Sequence, residues 1–97
     1  MELRYASNEL ERQCTDESYM KRKLGEERAK KLKLRINELR QVSAMNDLLL
    51  LAGKWELLKQ NRAGQWSGRL TGNWRVIAEP DGKAINVVVV QEIIDYH

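Results

Sequence analysis

The spacing of apolar residues changes once along the chain, near Gly53, and this change limits the folds that the chain can adopt. Before it, apolar residues such as Ala29, Leu32 and Ile36 recur at the period of one face of an α-helix. After it, short alternating segments are separated by Asn, Gly and Pro residues, a pattern typical of strands joined by tight turns. The first half therefore predicts helices, and the second half predicts an antiparallel sheet.

The helical half is interrupted at Gly25. A short strand at residues 2–5 precedes a helix that Ser7 or Asn8 can cap, and a helical pattern then runs from about residue 18 to about residue 42. Glycine inside a helix costs about 1 kcal/mol relative to alanine. The sequence therefore leaves open whether this long segment forms two helices or a single bent one.

The second half predicts four strands, at residues 55–59, 65–70, 74–79 and 84–91. The unbroken β-branched run from Val87 to Val90 favours a strand that is buried on both faces. We expect Trp66 and Trp74 in the core, while the position of Trp55 stays open. The predicted fold is a single α+β domain over residues 1–97, in which an N-terminal short strand and two or three helices pack on a C-terminal antiparallel β-sheet.

Composition excludes several classes of protein. With 97 residues, of which 42% are hydrophobic, the chain can build one modest core. No apolar stretch approaches the roughly 20 residues of a membrane-spanning helix, and the N-terminus predicts no secretory signal. One cysteine and one histidine exclude a Cys/His zinc site within one chain, so we expect no metal and no cofactor. A cytoplasmic location is expected.

The charge is mildly basic and unevenly distributed. The formal net charge is +3, and the pI is about 9.2. Basic residues crowd the segment 21–35, and a second set lies in the C-terminal half. Such clustering indicates a polyanion partner such as nucleic acid, although a solvated helix face is an equal alternative for the first segment. The second set consists of Lys54, Lys59, Arg62, Arg69 and Arg75.

Two places could carry acid–base or phosphate chemistry. The chain closes on Asp95, Tyr96 and His97, and histidine is the side chain best suited to exchange protons near neutral pH. A frayed tail is the alternative, because chain ends are usually disordered. Arg75 lies inside a predicted strand, where a rigidly held guanidinium suits bidentate phosphate recognition, although a salt-bridged strand residue would look the same.

Three segments resemble HigB-type toxins of the RelE/ParE superfamily. Residues 59–67 (KQNRAGQWS) resemble the stretch K-G-[DN]-R-x-G-x-[WY]-S of those toxins, residues 74–77 (WRVI) resemble their [WYH]-R-[LV]-I strand, and residues 95–97 (DYH) resemble their closing D-Y-H. Their order and spacing also fit, over about the last 45 residues. The helical half fits in layout only.

The resemblance implies the toxin of a type II toxin–antitoxin system, acting as a ribosome-dependent, metal-independent mRNA endoribonuclease that inhibits translation. Arg75 and Lys59 would then stabilise the phosphate. Tyr96 and His97 would handle protons or orient the nucleotide, and Asp95 would support them. Further contacts to RNA would come from Arg69, Arg62 and Lys54.

Glu56 is a departure from the pattern of that family. Many members carry a histidine at this position, three residues before the lysine that matches Lys59. Glu56 could act as the base instead, or the site could depend on His97. This departure keeps open a catalytically inactive module that binds RNA or an antitoxin.

A toxin of the same fold that inhibits DNA gyrase, as in the ParE branch, is a further alternative. The acid–base pair Tyr96–His97 argues against it, because an inhibitor that acts by binding a protein needs no such groups. The implied partners are a helix-turn-helix antitoxin of the HigA type, with which oligomers are expected, and the ribosome with its mRNA. No membrane partner is expected.

Overall fold

The computed structural model describes residues 1–96, in which helices cover one face of a five-stranded sheet. The helices are α1 (Asn8–Thr15), α2 (Glu17–Leu24) and α3 (Glu26–Gln41). The strands are β1 (Glu2–Tyr5), β2 (Glu56–Leu57), β3 (Trp66–Arg69), β4 (Trp74–Pro80) and β5 (Val87–Asp95), and 3₁₀ turns lie at Met45–Leu50 and Gln60–Arg62. This arrangement confirms the predicted α+β class. None of the helices in residues 1–96 is long and apolar enough to cross a membrane.

Side chains at the helix starts define where the helices begin. Ser7 Oγ accepts a hydrogen bond from the Leu10 amide at 3.1 Å, and Asp16 Oδ1 accepts one from the Tyr19 amide at 3.2 Å. Each bond satisfies an amide that the first helical turn leaves without a partner. Gly25 has a φ of 82°, a left-handed value that ends α2 before α3 begins. The predicted helical segment 18–42 is therefore two helices rather than one bent helix.

The strand order in the sheet is β1-β5-β4-β3-β2. Strands β2 to β5 form the predicted antiparallel meander. Strand β1 pairs in parallel with β5, a pairing that the sequence pattern did not predict. Strand β5 also begins later than predicted, at Val87, because Asn86 has a left-handed φ of 61° that ends the preceding turn.

Alternation along β4 gives the sheet two different faces. Val76 and Ala78 belong to the core between sheet and helices, together with Leu32 and Leu39 of α3. Arg75 alternates with these core residues along β4, and its side chain therefore leaves the sheet on the opposite side. We call that side the outer face.

Trp55 lies in the core, which settles the position that the sequence left open. It is 4% exposed, and its ring lies so close to Gly68 that a Cβ on Gly68 would come within 2.7 Å of the ring. Its Nε1 donates to Glu38 Oε1 at 2.9 Å, and Arg35 Nη1 donates to the same oxygen at 2.8 Å. Trp55 therefore connects α3 to β3 through packing and a buried polar network.

The other two tryptophans differ from each other. Trp66 is buried, as predicted. Trp74 is only half-buried, and the Arg28 guanidinium lies over its ring at 4.1 Å. The prediction of Trp74 as a core residue is thus only partly right, because Trp74 is the first residue of β4, where it packs against the core and a charged side chain of α3 also lies over its ring.

We expect Gly68→Ala to destabilise the protein by about 1–3 kcal/mol, as overpacking of a core does. The added Cβ would meet three ring atoms of Trp55, and neither the strand nor the hydrogen-bonded indole can move away freely. Urea denaturation measures the effect. Gly82→Ala is the matched control, since no heavy atom lies within 4 Å of a Cβ there, and we expect a change below about 1 kcal/mol. Equal stability of the two variants would contradict this packing.

Cys14 is buried on α1, and burial raises the pKa of its thiol to about 12. Only the thiolate reacts with alkylating agents. We therefore expect iodoacetamide at about pH 8 to modify Cys14 no faster than the protein unfolds, and to modify it fully in denaturant. Mass spectrometry over time measures this difference. Rapid modification of the folded protein would show that the thiol is accessible.

Candidate functional site

Polar side chains collect on the outer face across four strands. Glu56 of β2 lies opposite Ser67 of β3, which lies opposite Ile77 of β4, which lies opposite Glu92 of β5. Residues directly opposite in antiparallel strands have Cβ atoms about 4.5–5.5 Å apart and project to the same side. The row therefore places two carboxylates on the outer face, with a serine and an isoleucine between them.

A second row on the same face carries two arginines. Arg69 of β3 lies opposite Arg75 of β4, and Arg75 lies opposite Ile94 of β5. Arg69 is exposed, and Arg75 is half-buried. Two cations side by side on adjacent strands repel one another, and such a pair is favourable where an anion lies between them. The rows together place a carboxylate, Glu56, on the same surface as two guanidinium groups.

Arg75 is oriented by backbone carbonyls. Its Nη1 donates to the carbonyl oxygen of Gly72 and to that of Trp74, each at 2.9 Å. A guanidinium has further N–H groups in a rigid fork, so these two bonds orient the group and do not exhaust its donors. Arg75 is therefore preorganised at the turn between β3 and β4.

Arg62 joins the second 3₁₀ turn to the last strand. Its Nη1 lies 2.8 Å from Glu92 Oε1 and donates to Gln65 Oε1 at 2.9 Å. Its guanidinium also lies over the Tyr96 ring, 5.6 Å from the centroid. The sequence predicted Arg62 as an RNA contact. That role stays a prediction, and within residues 1–96 the contacts of Arg62 connect Tyr96 and the 3₁₀ turn to the sheet.

The end of the described chain is tied to the sheet. The Tyr96 amide donates to the Asn73 carbonyl oxygen at 2.8 Å, and Tyr96 is half-buried. A frayed tail therefore does not describe the chain up to Tyr96. His97, the predicted proton donor, lies outside the described residues.

The remaining candidates lie around this surface. Lys54 and Lys59 are exposed on either side of β2, and the carbonyl of Gly53, next to Lys54, accepts from the Arg69 amide at 2.9 Å. Asp95 lies opposite Trp74, whose side chain packs against the core, so we infer that Asp95 leaves the sheet on the side of the helices. The outer face therefore carries Glu56 and Arg75 but not Asp95.

The basic segment 21–35 does not form one cationic surface. Arg35 is 5% exposed and pairs with Glu38. Lys33 and Lys21 lie 3.0 and 3.6 Å from Glu17 Oε1, and the hydrogen bond from Lys33 is the main reason that the pKa of Glu17 is lowered. Part of this segment is therefore neutralised within the protein.

Sequence reasoning missed Glu92 because of a β-bulge. The register between β4 and β5 shifts at Ile77/Ala78, so that Val90 lies opposite Ala78 while Glu92 lies opposite Ile77. Without the bulge at Gln91, simple alternation would place Glu92 on the same face as Val90. The bulge moves Glu92 to the outer face, where it meets Arg62, and no feature of the sequence marks the bulge.

The site can combine acid–base chemistry with stabilisation of an anion. A carboxylate, two strand arginines and a tyrosine share one surface, which is the set needed to accept a proton and to stabilise charge on a phosphate. No group of three or more His, Cys, Asp or Glu side chains in residues 1–96 could hold a metal ion.

Comparisons with known proteins find similar solved structures. No protein-family model matches the sequence, and no curated protein matches it. Solved structures do match over 100% of this chain. A YoeB–YefM complex from Staphylococcus aureus is 22% identical with a TM-score of 0.66, and the match covers 97% of that chain. A YoeB/ParE toxin from Agrobacterium tumefaciens is 23% identical with a TM-score of 0.63, and the match covers 99% of that chain.

A heterotetrameric complex of the YoeB–YefM toxin–antitoxin from Staphylococcus aureus is 26% identical with a TM-score of 0.61, and the match covers 97% of that chain. These neighbours are described as YoeB or ParE proteins, so the HigB branch that the motifs indicate stays a prediction. Over the whole of its length, this chain has the fold of the YoeB/ParE-type toxins of the RelE/ParE superfamily.

Proposed function

We propose that this protein is the toxin of a type II toxin–antitoxin system and a ribosome-dependent mRNA endoribonuclease that inhibits translation. The observation that carries the proposal is the outer face, where Glu56 shares a surface with Arg69 and Arg75. A gyrase inhibitor acts by binding a protein and does not need a carboxylate beside paired arginines. Because one fold can serve both mRNA cleavage and gyrase inhibition, the preference for cleavage rests on the side chains of the site.

The proposed reaction uses the ribose 2′-OH as the nucleophile on the adjacent phosphate. Glu56 takes the 2′-OH proton, a bond forms between the 2′ oxygen and phosphorus, and the bond from phosphorus to the 5′ oxygen breaks. The products are a 2′,3′-cyclic phosphate and a 5′-OH, whose proton comes from His97 or Tyr96. No metal and no cofactor enters this scheme.

Arg75 and Lys59 stabilise the phosphate in this proposal, and Arg69 adds to the positive field. As the 2′ oxygen attacks, the phosphorane gains negative charge on its outer oxygens, and fixed donors stabilise this charge without reorganising. Arg75 meets that requirement best, because two carbonyl oxygens already orient it. Lys59 is exposed and has the long, flexible stem of any lysine, which suits a contact that forms when RNA arrives.

Glu56 replaces the histidine of many HigB-type toxins. A carboxylate on the outer face can serve as a general base in place of the imidazole. Arg62, which pairs with Glu92, lies over the ring of Tyr96. In this proposal Glu56 is the base and the terminal Tyr96–His97 pair is the acid, and Asp95 supports that pair from the helix side of the sheet.

The proposed partners are an antitoxin and the translating ribosome. Two of the neighbouring structures are complexes of YoeB with YefM, and we propose that an antitoxin likewise binds this chain, with acidic residues that offset its basic charge. A helix-turn-helix antitoxin of the HigA type remains a prediction from the sequence. The ribosome would present the mRNA to the outer face, with Lys54 at its edge, and the location of the toxin would be the cytoplasm.

We expect production of the protein in growing cells to create new mRNA ends inside translated codons. Arg75→Ala should reduce their formation about 100- to 1000-fold, as loss of one preorganised donor to a transition state does. Sequencing of mRNA ends on translating ribosomes measures this reduction. Arg4→Ala is the matched control, because Arg4 lies on β1 at the opposite edge of the sheet in exposed ion pairs.

Growth arrest without new mRNA ends would overturn the endoribonuclease and point to gyrase or another protein target. Absence of arrest, with antitoxin binding intact, would indicate a module that only binds. A loss of cleavage in Arg4→Ala as large as that in Arg75→Ala would show that the outer face is not the site.

A further inference from the structure

Ser67 is the buried polar residue of the outer face. It is 1% exposed, and its Oγ has no hydrogen-bond partner among the residues that the structure describes. Most buried side-chain hydroxyls are hydrogen-bonded, because an unpaired one loses its bonds to water and gains nothing in return. An alanine at this place in β3 would avoid that cost, so the hydroxyl needs an explanation.

The neighbours of Ser67 restrict its possible partners. On β2 it lies opposite Glu56, and on β4 it lies opposite Ile77, which has no polar atom. At 1% exposure, Ser67 cannot reach RNA that binds above the sheet. A serine hydroxyl can donate one hydrogen bond, and of its two cross-strand neighbours only Glu56 can accept it.

The distance between Glu56 and Ser67 suits a bond that forms after a rotamer change. Their Cβ atoms are separated by about 5 Å, as in other directly opposed pairs. The glutamate side chain can span that gap, because a methylene group and the carboxylate follow its Cβ. In the free protein Glu56 is exposed, so its carboxylate is open to solvent.

We propose that Ser67 is a positioning residue, whose hydroxyl donates a hydrogen bond to the Glu56 carboxylate when RNA covers the outer face. The inference rests on the proposed function, in which Glu56 is the base. RNA binding removes water from the carboxylate, which then needs a donor from the protein. The bond to Ser67 holds one carboxylate oxygen and directs the other towards the 2′-OH, and such orientation accelerates proton transfer.

The first test is Ser67→Ala in steady-state cleavage of mRNA on ribosomes. We expect kcat to fall by roughly 10-fold with KM unchanged, because the hydroxyl acts on the base and does not touch RNA. Urea denaturation should show the variant to be at least as stable as the parent, since an unpaired buried hydroxyl has been removed. Ser67→Thr keeps a hydroxyl and should restore kcat, and Ser43→Ala, at an exposed serine after α3, is the control.

The second test repeats Ser67→Ala in a Glu56→Gln background. If Ser67 acts through the Glu56 carboxylate, the roughly 10-fold loss should shrink to less than about 2-fold there. The same loss in both backgrounds would overturn the proposal, because Ser67 would then act by another route. Unchanged kcat in Ser67→Ala would overturn it directly, and so would a loss of kcat explained by lower stability.

A spectroscopic measurement separates this inference from the proposed function. The carboxyl ¹³C resonance of Glu56 should shift when a 2′-fluoro RNA hexamer binds, and in Ser67→Ala that shift should be smaller. If the shift depends on Ser67 but the protein never cleaves mRNA, the contact between Ser67 and Glu56 is supported and the proposed endoribonuclease is rejected. If the protein cleaves mRNA but the shift does not depend on Ser67, the endoribonuclease is supported and the contact between Ser67 and Glu56 is rejected.

Discussion

The contact between Trp55 and Gly68 is the constraint on which the arrangement of the site depends. The indole can lie against β3 only because residue 68 has no side chain, and its Nε1 shares Glu38 Oε1 with the buried Arg35. Removal of one partner from such a buried network leaves a charge without compensation, so the three side chains act together. Glu56 follows Trp55 directly, and the buried tryptophan therefore places the edge strand that carries the candidate base.

The two faces of the sheet have different roles: one packs against the helices and stabilises the fold, and the other carries the candidate site. The helices bury one face with aliphatic and aromatic residues, whereas the outer face carries Glu56, Arg69, Arg75 and Glu92. Charged groups can stay on the outer face because the helices of residues 1–96 pack on the other face. Rigid strands below them keep their spacing, and a reacting phosphate requires that precision. Ser67 is the exception, a polar side chain that is buried beneath the charged groups.

Sequence reasoning succeeded where a local pattern has a single physical meaning. Turn residues between short alternating segments predicted the meander, and a strand arginine at Arg75 predicted a group on one face of the sheet. It was incomplete where distant segments decide the outcome. The parallel pairing of β1 with β5 and the pairing of Arg62 with Glu92 join parts of the chain that no local pattern connects. The placement of Asp95 on the side of the helices depends on the register of the last two strands.

By itself, the sequence determined the α+β class, the order of the elements and the residue types available for chemistry. These properties follow from hydrophobic periodicity and from turn and cap residues, which act over a few positions. Only the tertiary structure decided which of those residues share a surface. The bulge at Ile77/Ala78 reverses the facing of Glu92, and the burial of Trp55 sets the position of Glu56. The physical reason is that register and burial depend on contacts between strands, and a shift of one residue moves a side chain to the other face.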